Sequence, residues 1–150
     1  MPHAELELER FLPYRLSVLS NTISQAIARI YAERFELGVT EWRVMAVLGR
    51  YPGLSANQVA ERTAMDKVAV SRAVARLLQA GRVECERHGD DRRRSVLRLS
   101  EAGYAVYDQI VPLALDHERR LLAGFSDQEQ KALDRILRKL AQAELQGLEP

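Results

Sequence analysis

The chain has 150 residues, 47% hydrophobic and 29% charged, which allows one domain with a real core and is too apolar for intrinsic disorder. No uncharged apolar run approaches the roughly 18 residues of a membrane span, so no membrane partner is expected. The acidic start Met1-Pro2-His3-Ala4-Glu5 lacks the basic start and apolar core of a signal peptide. A single cysteine, Cys85, excludes an internal disulfide and fits a cytoplasmic protein.

Net charge is only +1, but it is unevenly placed. Residues 62–98 hold ten Lys/Arg (Arg62, Lys67, Arg72, Arg76, Arg82, Arg87, Arg92, Arg93, Arg94, Arg98) and five acids (Asp66, Glu84, Glu86, Asp90, Asp91), so they carry +5 against −4 elsewhere. Positive charge gathered in the middle third is what a localised phosphate-facing surface requires.

In chain order, Leu12, Leu16, Leu19, Ile23, Ile27 and Ile30 recur at spacings of three and four, predicting one long amphipathic helix over 12–31. Pro13 suits its first turn and Gly38 lies just beyond its end. A second helix is expected to open at Thr40 as N-cap, burying some of Trp42, Met45, Ala46 and Leu48 before Tyr51-Pro52-Gly53. Ser55-x-x-Gln58 reads as a capping box on a short third helix with Val59 and Ala60 inward. The fourth helix runs from its cap Asp66 to Gly81, with Val70, Val74 and Leu77 on one face and Lys67, Val68, Ser71, Arg72 and Arg76 on the other.

Val83–Arg87 and Val96–Leu99 then alternate as strands, joined by His88-Gly89-Asp90-Asp91-Arg92-Arg93-Arg94. The phase of Cys85 groups it with Val83, predicting a small core residue rather than a redox switch. Ser100 begins a long helical stretch to about Gly124, which Pro112 should kink or split. Ser126-x-x-Glu129 is a second capping box, opening a last helix with Leu133, Ile136, Leu137 and Leu140 on one side.

Two helices joined by a tight turn and followed by a basic hairpin make a winged helix-turn-helix, mainly α with a small β-hairpin wing. The apolar stripes on the terminal helices exceed what such a lobe can cover, which predicts a homodimer. The histidines His3, His88 and His117 are scattered, and no Gly-rich phosphate loop or nucleophile elbow is present. No enzyme, metal or cofactor is expected.

The order of elements resembles the MarR family of bacterial transcriptional regulators over roughly Phe11 to Leu145. The likeness rests on Thr40-Glu41-Trp42-Arg43-Val44-Met45, the Leu54-to-Ala64 helix, and Asp66-Lys67-Val68-Ala69-Val70-Ser71-Arg72 with Gly81. It continues in Asp91-Arg92-Arg93-Arg94-Ser95-Val96-Leu97 and Leu99-Ser100-Glu101-Ala102-Gly103. The resemblance implies one domain over 1–150, with a winged-helix lobe at about 40–100 and dimerisation helices at about 11–36 and 101–146. It also implies two lobes straddling a pseudopalindrome in double-stranded DNA, acting mostly as a repressor, and modulation by a small aromatic or phenolic acid. Peroxide-sensing members use a cysteine near the first helix, and this chain has none there.

On that reading, Lys67, Ser71 and Arg72 reach base edges, Arg72 suiting a guanine, while Val68 and Ala69 suit a thymine methyl. Arg76, a turn further on, meets a phosphate, as does Asn57 at the start of the third helix. In the wing, Arg92, Arg93 and Arg94 suit a narrow minor groove, with Asp91 bracing one of them. Arg93 is the expected insertion, because it matches the second arginine of the family's Asp-Arg-Arg. Effector candidates are Tyr14, Arg15, Ser20, Trp42 and Arg43, the tryptophan as a flat wall and an arginine for a carboxylate. The rival is a winged-helix protein-interaction module without specific DNA binding.

Overall fold

A computed structural model describes residues 2–87 and 95–147, in the order of a short 3-10 turn (Leu8–Arg10), α1 (Leu12–Phe35), α2 (Val39–Arg50), α3 (Ala56–Thr63), α4 (Lys67–Gln79), β1 (Val83–Arg87), β2 (Ser95–Leu99), α5 (Glu101–Leu122) and α6 (Asp127–Gly147). This is the mainly helical, winged helix-turn-helix architecture expected. No helix among the described residues is long and apolar enough to cross a membrane. The wing tip, with Asp91, Arg92, Arg93 and Arg94, lies outside the described residues.

Packing divides the chain into two compact units, Met1–Leu113 and Ala114–Pro150. The first holds the buried core. Val44, Met45 and Leu48 of α2, Val59 of α3, Val70 and Leu77 of α4, and Ile110 of α5 are almost wholly buried, with Tyr31 of α1 beside them. β1 and β2 pair antiparallel with Val83 opposite Leu99 and Cys85 opposite Leu97. Leu54 adds a rung to β2, since Leu97 N–H donates to Leu54 O at 2.8 Å and Gly53 N–H donates to Leu97 O at 2.9 Å.

Local chemistry fixes the joints. Gly81 takes φ +74 after α4, where a side chain would be strained. Ser100 then ties the start of α5 to that turn: its Oγ donates to Gly81 O at 2.6 Å and accepts from Gly103 N–H at 3.0 Å. Gly103 has no room for more, because a Cβ there would lie 2.0 Å from Arg82 O.

Three expectations need correction, and one of two alternatives is excluded. α2 opens at Val39 with Gly38 as N-cap, not Thr40, because the Glu41 carboxylate accepts the Gly38 N–H at 3.1 Å. α1 runs on to Phe35, and the left-handed residue ending it is Glu36 (φ 53) rather than a glycine. Of the two outcomes expected at Pro112, α5 does not split. Proline removes the N–H that would bond the Asp108 carbonyl, and its ring crowds that carbonyl. Cys85 is exposed: it shares the phase of Val83 and stands opposite the buried Leu97, but the core covers Leu97 of β2 and leaves all of β1 except Val83 exposed.

Candidate nucleic-acid interface

The helix-turn-helix is built by short-range hydrogen bonds. Ser55 Oγ accepts Gln58 N–H at 3.2 Å while Ser55 N–H donates to Gln58 Oε1 at 2.8 Å, forming the reciprocal box. Thr63 Oγ1 donates back to Val59 O at 2.7 Å, and Ala64 adopts φ 54 to turn the chain. Asp66 Oδ2 then caps α4 by accepting Ala69 N–H at 3.1 Å. With Val70, Ala73, Val74 and Leu77 buried, helical geometry leaves Lys67, Val68, Ser71, Arg72 and Arg76 exposed on the other side. Ala69 is half-buried, at the edge of that face, and Asn57 is exposed in the first turn of α3.

The cations of this region are not equivalent. The Arg62 guanidinium stands 3.8 Å from the Tyr51 ring centroid, with that of Arg50 at 4.7 Å, so both are held on an aromatic face. Arg98 of β2 pairs with Glu86 of β1. Arg76 reaches Glu41 Oε1 at 3.4 Å. Lys67 and Arg72 have no ion pair among the described residues, so their charges stand in solvent at the N-terminal half of α4. That half is the part of a recognition helix that enters a major groove. Val68, 56% exposed on an otherwise polar face, presents the kind of apolar group that a thymine methyl meets.

Comparison with known proteins bears on this geometry. The sequence model of the MarR family matches residues 35–94, from the end of α1 to just before β2. A MarR/EmrR family transcriptional regulator from Acinetobacter sp. ADP1 superposes with a TM-score of 0.85 at 28% identity, over 94% of this chain and 99% of that one. The chain is similar to the MarR family in both sequence and fold. The HTH-type transcriptional regulator BilQ of Clostridium symbiosum is 30% identical over 93 residues, 62% of this chain and 65% of that protein. The PcaV transcriptional regulator of Streptomyces coelicolor, solved in complex with its natural ligand, matches with a TM-score of 0.71 at 25% identity, over 95% of this chain and 99% of that one. These relatives are regulators, in agreement with the expectation that the chain is not an enzyme.

Elsewhere in the chain, α1, α2 and α5 bring an aromatic cluster together. Trp42 lies 5.8 Å from Tyr31 and 6.0 Å from Tyr107 between ring centroids, and Tyr104 meets Tyr107 edge-on at 6.2 Å. The close approach of α5 to α2 is possible because residue 49 is glycine: a Cβ there would lie 2.5 Å from the Tyr107 ring. Arg43, half-buried, donates to Ser24 Oγ at 2.7 Å and faces Met65 Sδ at 4.0 Å. Burial pushes the Tyr31 phenol above its ordinary pKa, and the Arg43 charge partly offsets this.

Of the effector candidates, then, Trp42 and Arg43 are brought into one neighbourhood. Tyr14, Arg15 and Ser20 are all exposed on the first half of α1. Tyr14 and Arg15 stand about 14 Å along the helix from Ser24. Residues not singled out from sequence are Ser24, Tyr31, Met65 and Tyr107, and also Glu41, whose only local signal is the Gly38-x-x-Glu41 spacing.

Proposed function

We propose that the protein is a homodimeric, sequence-specific regulator of transcription in the cytoplasm, repressing from pseudopalindromic operators and responding to a small aromatic or phenolic acid. The observation that carries the reading is the exposed face of α4, where Lys67, Val68, Ser71 and Arg72 stand free beside the capped start of the helix. Lys67, Ser71 and Arg72 read base edges, Val68 and Ala69 touch a thymine methyl, and Asn57 and Arg76 meet phosphates. In the wing, Arg93 enters the minor groove between Arg92 and Arg94, with Asp91 bracing it. The terminal helices, residues 11–36 and 101–146, form the dimer around lobes at 40–100. Their exposed apolar stripe, Leu133, Ile136 and Leu137 above all, supports this.

The effector site is drawn from Trp42 and Arg43, with Tyr14, Arg15 and Ser20 at its edge. An aromatic acid would lie on the Trp42 side and take its carboxylate to Arg43, displacing Ser24 from the guanidinium. The liganded PcaV relative supports a binding site in this fold.

The deciding experiment is fluorescence anisotropy on a palindromic duplex drawn from the protein's own promoter. Affinity should fall with salt at a log–log slope of about −0.9 per neutralised phosphate. Arg72→Ala should lose roughly 1–3 kcal/mol of discrimination at one base position, and Arg93→Ala should weaken binding chiefly at A·T-rich flanks. Salt-independent binding, or equal losses on all sequences from both variants, would overturn the reading. A thermal-shift series of aromatic acids on wild type and Arg43→Ala tests the effector site, since a ligand of the native fold raises the melting temperature.

A further inference from the structure

The Glu41–Arg76 pair joins the first turn of α2 to the outward face of α4, and its two halves are unlike. The Glu41 side chain is 12% exposed and that of Arg76 70% exposed. Glu41 is fixed by its own helix, Oε2 accepting the Gly38 N–H at 3.1 Å, which leaves Oε1 toward Arg76 Nη1 at 3.4 Å. A guanidinium carries five N–H donors in one plane, so an arginine met by one carboxylate oxygen keeps another edge toward solvent. The acid is anchored and the base is free to bind something else.

We propose that Glu41 is a positioning residue for DNA binding: it holds the Arg76 guanidinium in a set plane so that its open edge meets a backbone phosphate. This rests on the DNA-binding reading above. Arginine is suited to the task because its rigid fork can bridge two acceptors, which an ammonium cannot do in fixed geometry. Without Glu41, Arg76 would be pushed by Arg72, four residues before it on the same helix face, where like charges repel. Exposed ion pairs add little to stability, so the value of this one lies in orientation. The idea also reverses a simple electrostatic expectation: an acid beside a phosphate-binding surface should weaken binding, whereas a positioning acid strengthens it.

The test uses the full chain and a duplex that the wild-type protein selects from a randomised pool, with anisotropy read across a salt series. Glu41→Gln keeps the size of the side chain and an acceptor for the Gly38 N–H. It should lose about three- to five-fold in affinity. Arg76→Ala should lose more and flatten the salt slope by about 0.9. In the Arg76→Ala background, Glu41→Gln should have no further effect, because the pair acts as a unit. Arg76→Lys, which leaves the α2 cap untouched, should lose affinity despite keeping its charge, and covers the case in which Glu41→Gln fails to fold.

Glu41→Gln binding as tightly as wild type or tighter, or a loss that persists without Arg76, overturns the positioning role while leaving the DNA-binding reading intact. A wild-type protein that selects no duplex overturns both.

Discussion

The fourth and sixth helices carry similar patterns and meet different fates. α4 places Val70, Ala73, Val74 and Leu77 on one face, and all four are buried. α6 places Leu133, Ile136, Leu137 and Leu140 at the same kind of spacing, yet the first three are 41%, 50% and 50% exposed. α1 shows both outcomes in one helix, with Leu12, Leu16 and Leu19 exposed and Ile23, Ile27 and Ile30 half-buried ahead of the buried Tyr31. An apolar stripe therefore records a demand for burial without saying which chain meets it.

The strongest way to break this contrast is to charge the α6 stripe. Ile136→Asp with Leu137→Asp should convert a dimer to monomers in light scattering coupled to gel filtration, and should abolish binding to a two-site operator. An unchanged mass would mean that the stripe is ordinary surface. The corresponding change in α4, Leu77→Ala, should act within the chain, costing about 2–5 kcal/mol in a denaturant melt through the cavity it leaves.

Next in size come the glycines that let helices approach the lobe. Gly103→Ala drives a Cβ to 2.0 Å from Arg82 O, a backbone atom that Ser100 N–H also holds at 3.0 Å. Gly49→Ala meets only the Tyr107 ring, at 2.5 Å, and a side chain yields more readily than backbone. Overpacking of this kind costs roughly 1–3 kcal/mol, with Gly103→Ala at or above the upper end and Gly49→Ala lower. If thermal melts rank them the other way, the α5 start is softer than its hydrogen bonds imply.

The same contrast between local and distant partners explains what could be read from sequence. The boxes at Ser55/Gln58 and Ser126/Glu129 and the Asp66 cap close over three residues, so spacing alone encodes them. Thr40 is the wrong start for the second helix because glycine offers no capping atom to recognise, and the anchor is Glu41 reaching back. Arg43–Ser24, Glu41–Arg76 and Trp42–Tyr107 join residues 19, 35 and 65 positions apart, and no periodicity announces such pairs. Thus Trp42 and Arg43 were legible as residues of interest while their neighbours were not. Cys85 illustrates the reverse error: alternation gives its phase correctly, but phase does not say which strand of a pair the core covers, and here it covers Leu97 rather than Cys85.

The smallest effect concerns the buried end of α1 and is visible only in alkali. Tyr31 is 1% exposed, and burial raises its phenol above the ordinary value of 10.0, against a partial offset from Arg43. Below pH 10 the phenol is protonated in folded and unfolded chains alike, so its contribution to stability is complete and flat. Above pH 10 the unfolded chain ionises first, and stability falls until the pH passes the raised folded value, with a limiting slope of about 1.4 kcal/mol per pH unit for one proton. Tyr31→Phe removes this group while keeping the ring against Trp42. Its stability, measured beside wild type from pH 8 to 11, should therefore decline less steeply above pH 10, the other tyrosines and lysines cancelling in the difference. Equal slopes would mean that the Tyr31 phenol is as well solvated as those on the surface. The division of α1 into an exposed half and a core half would then be weaker than its burial pattern indicates.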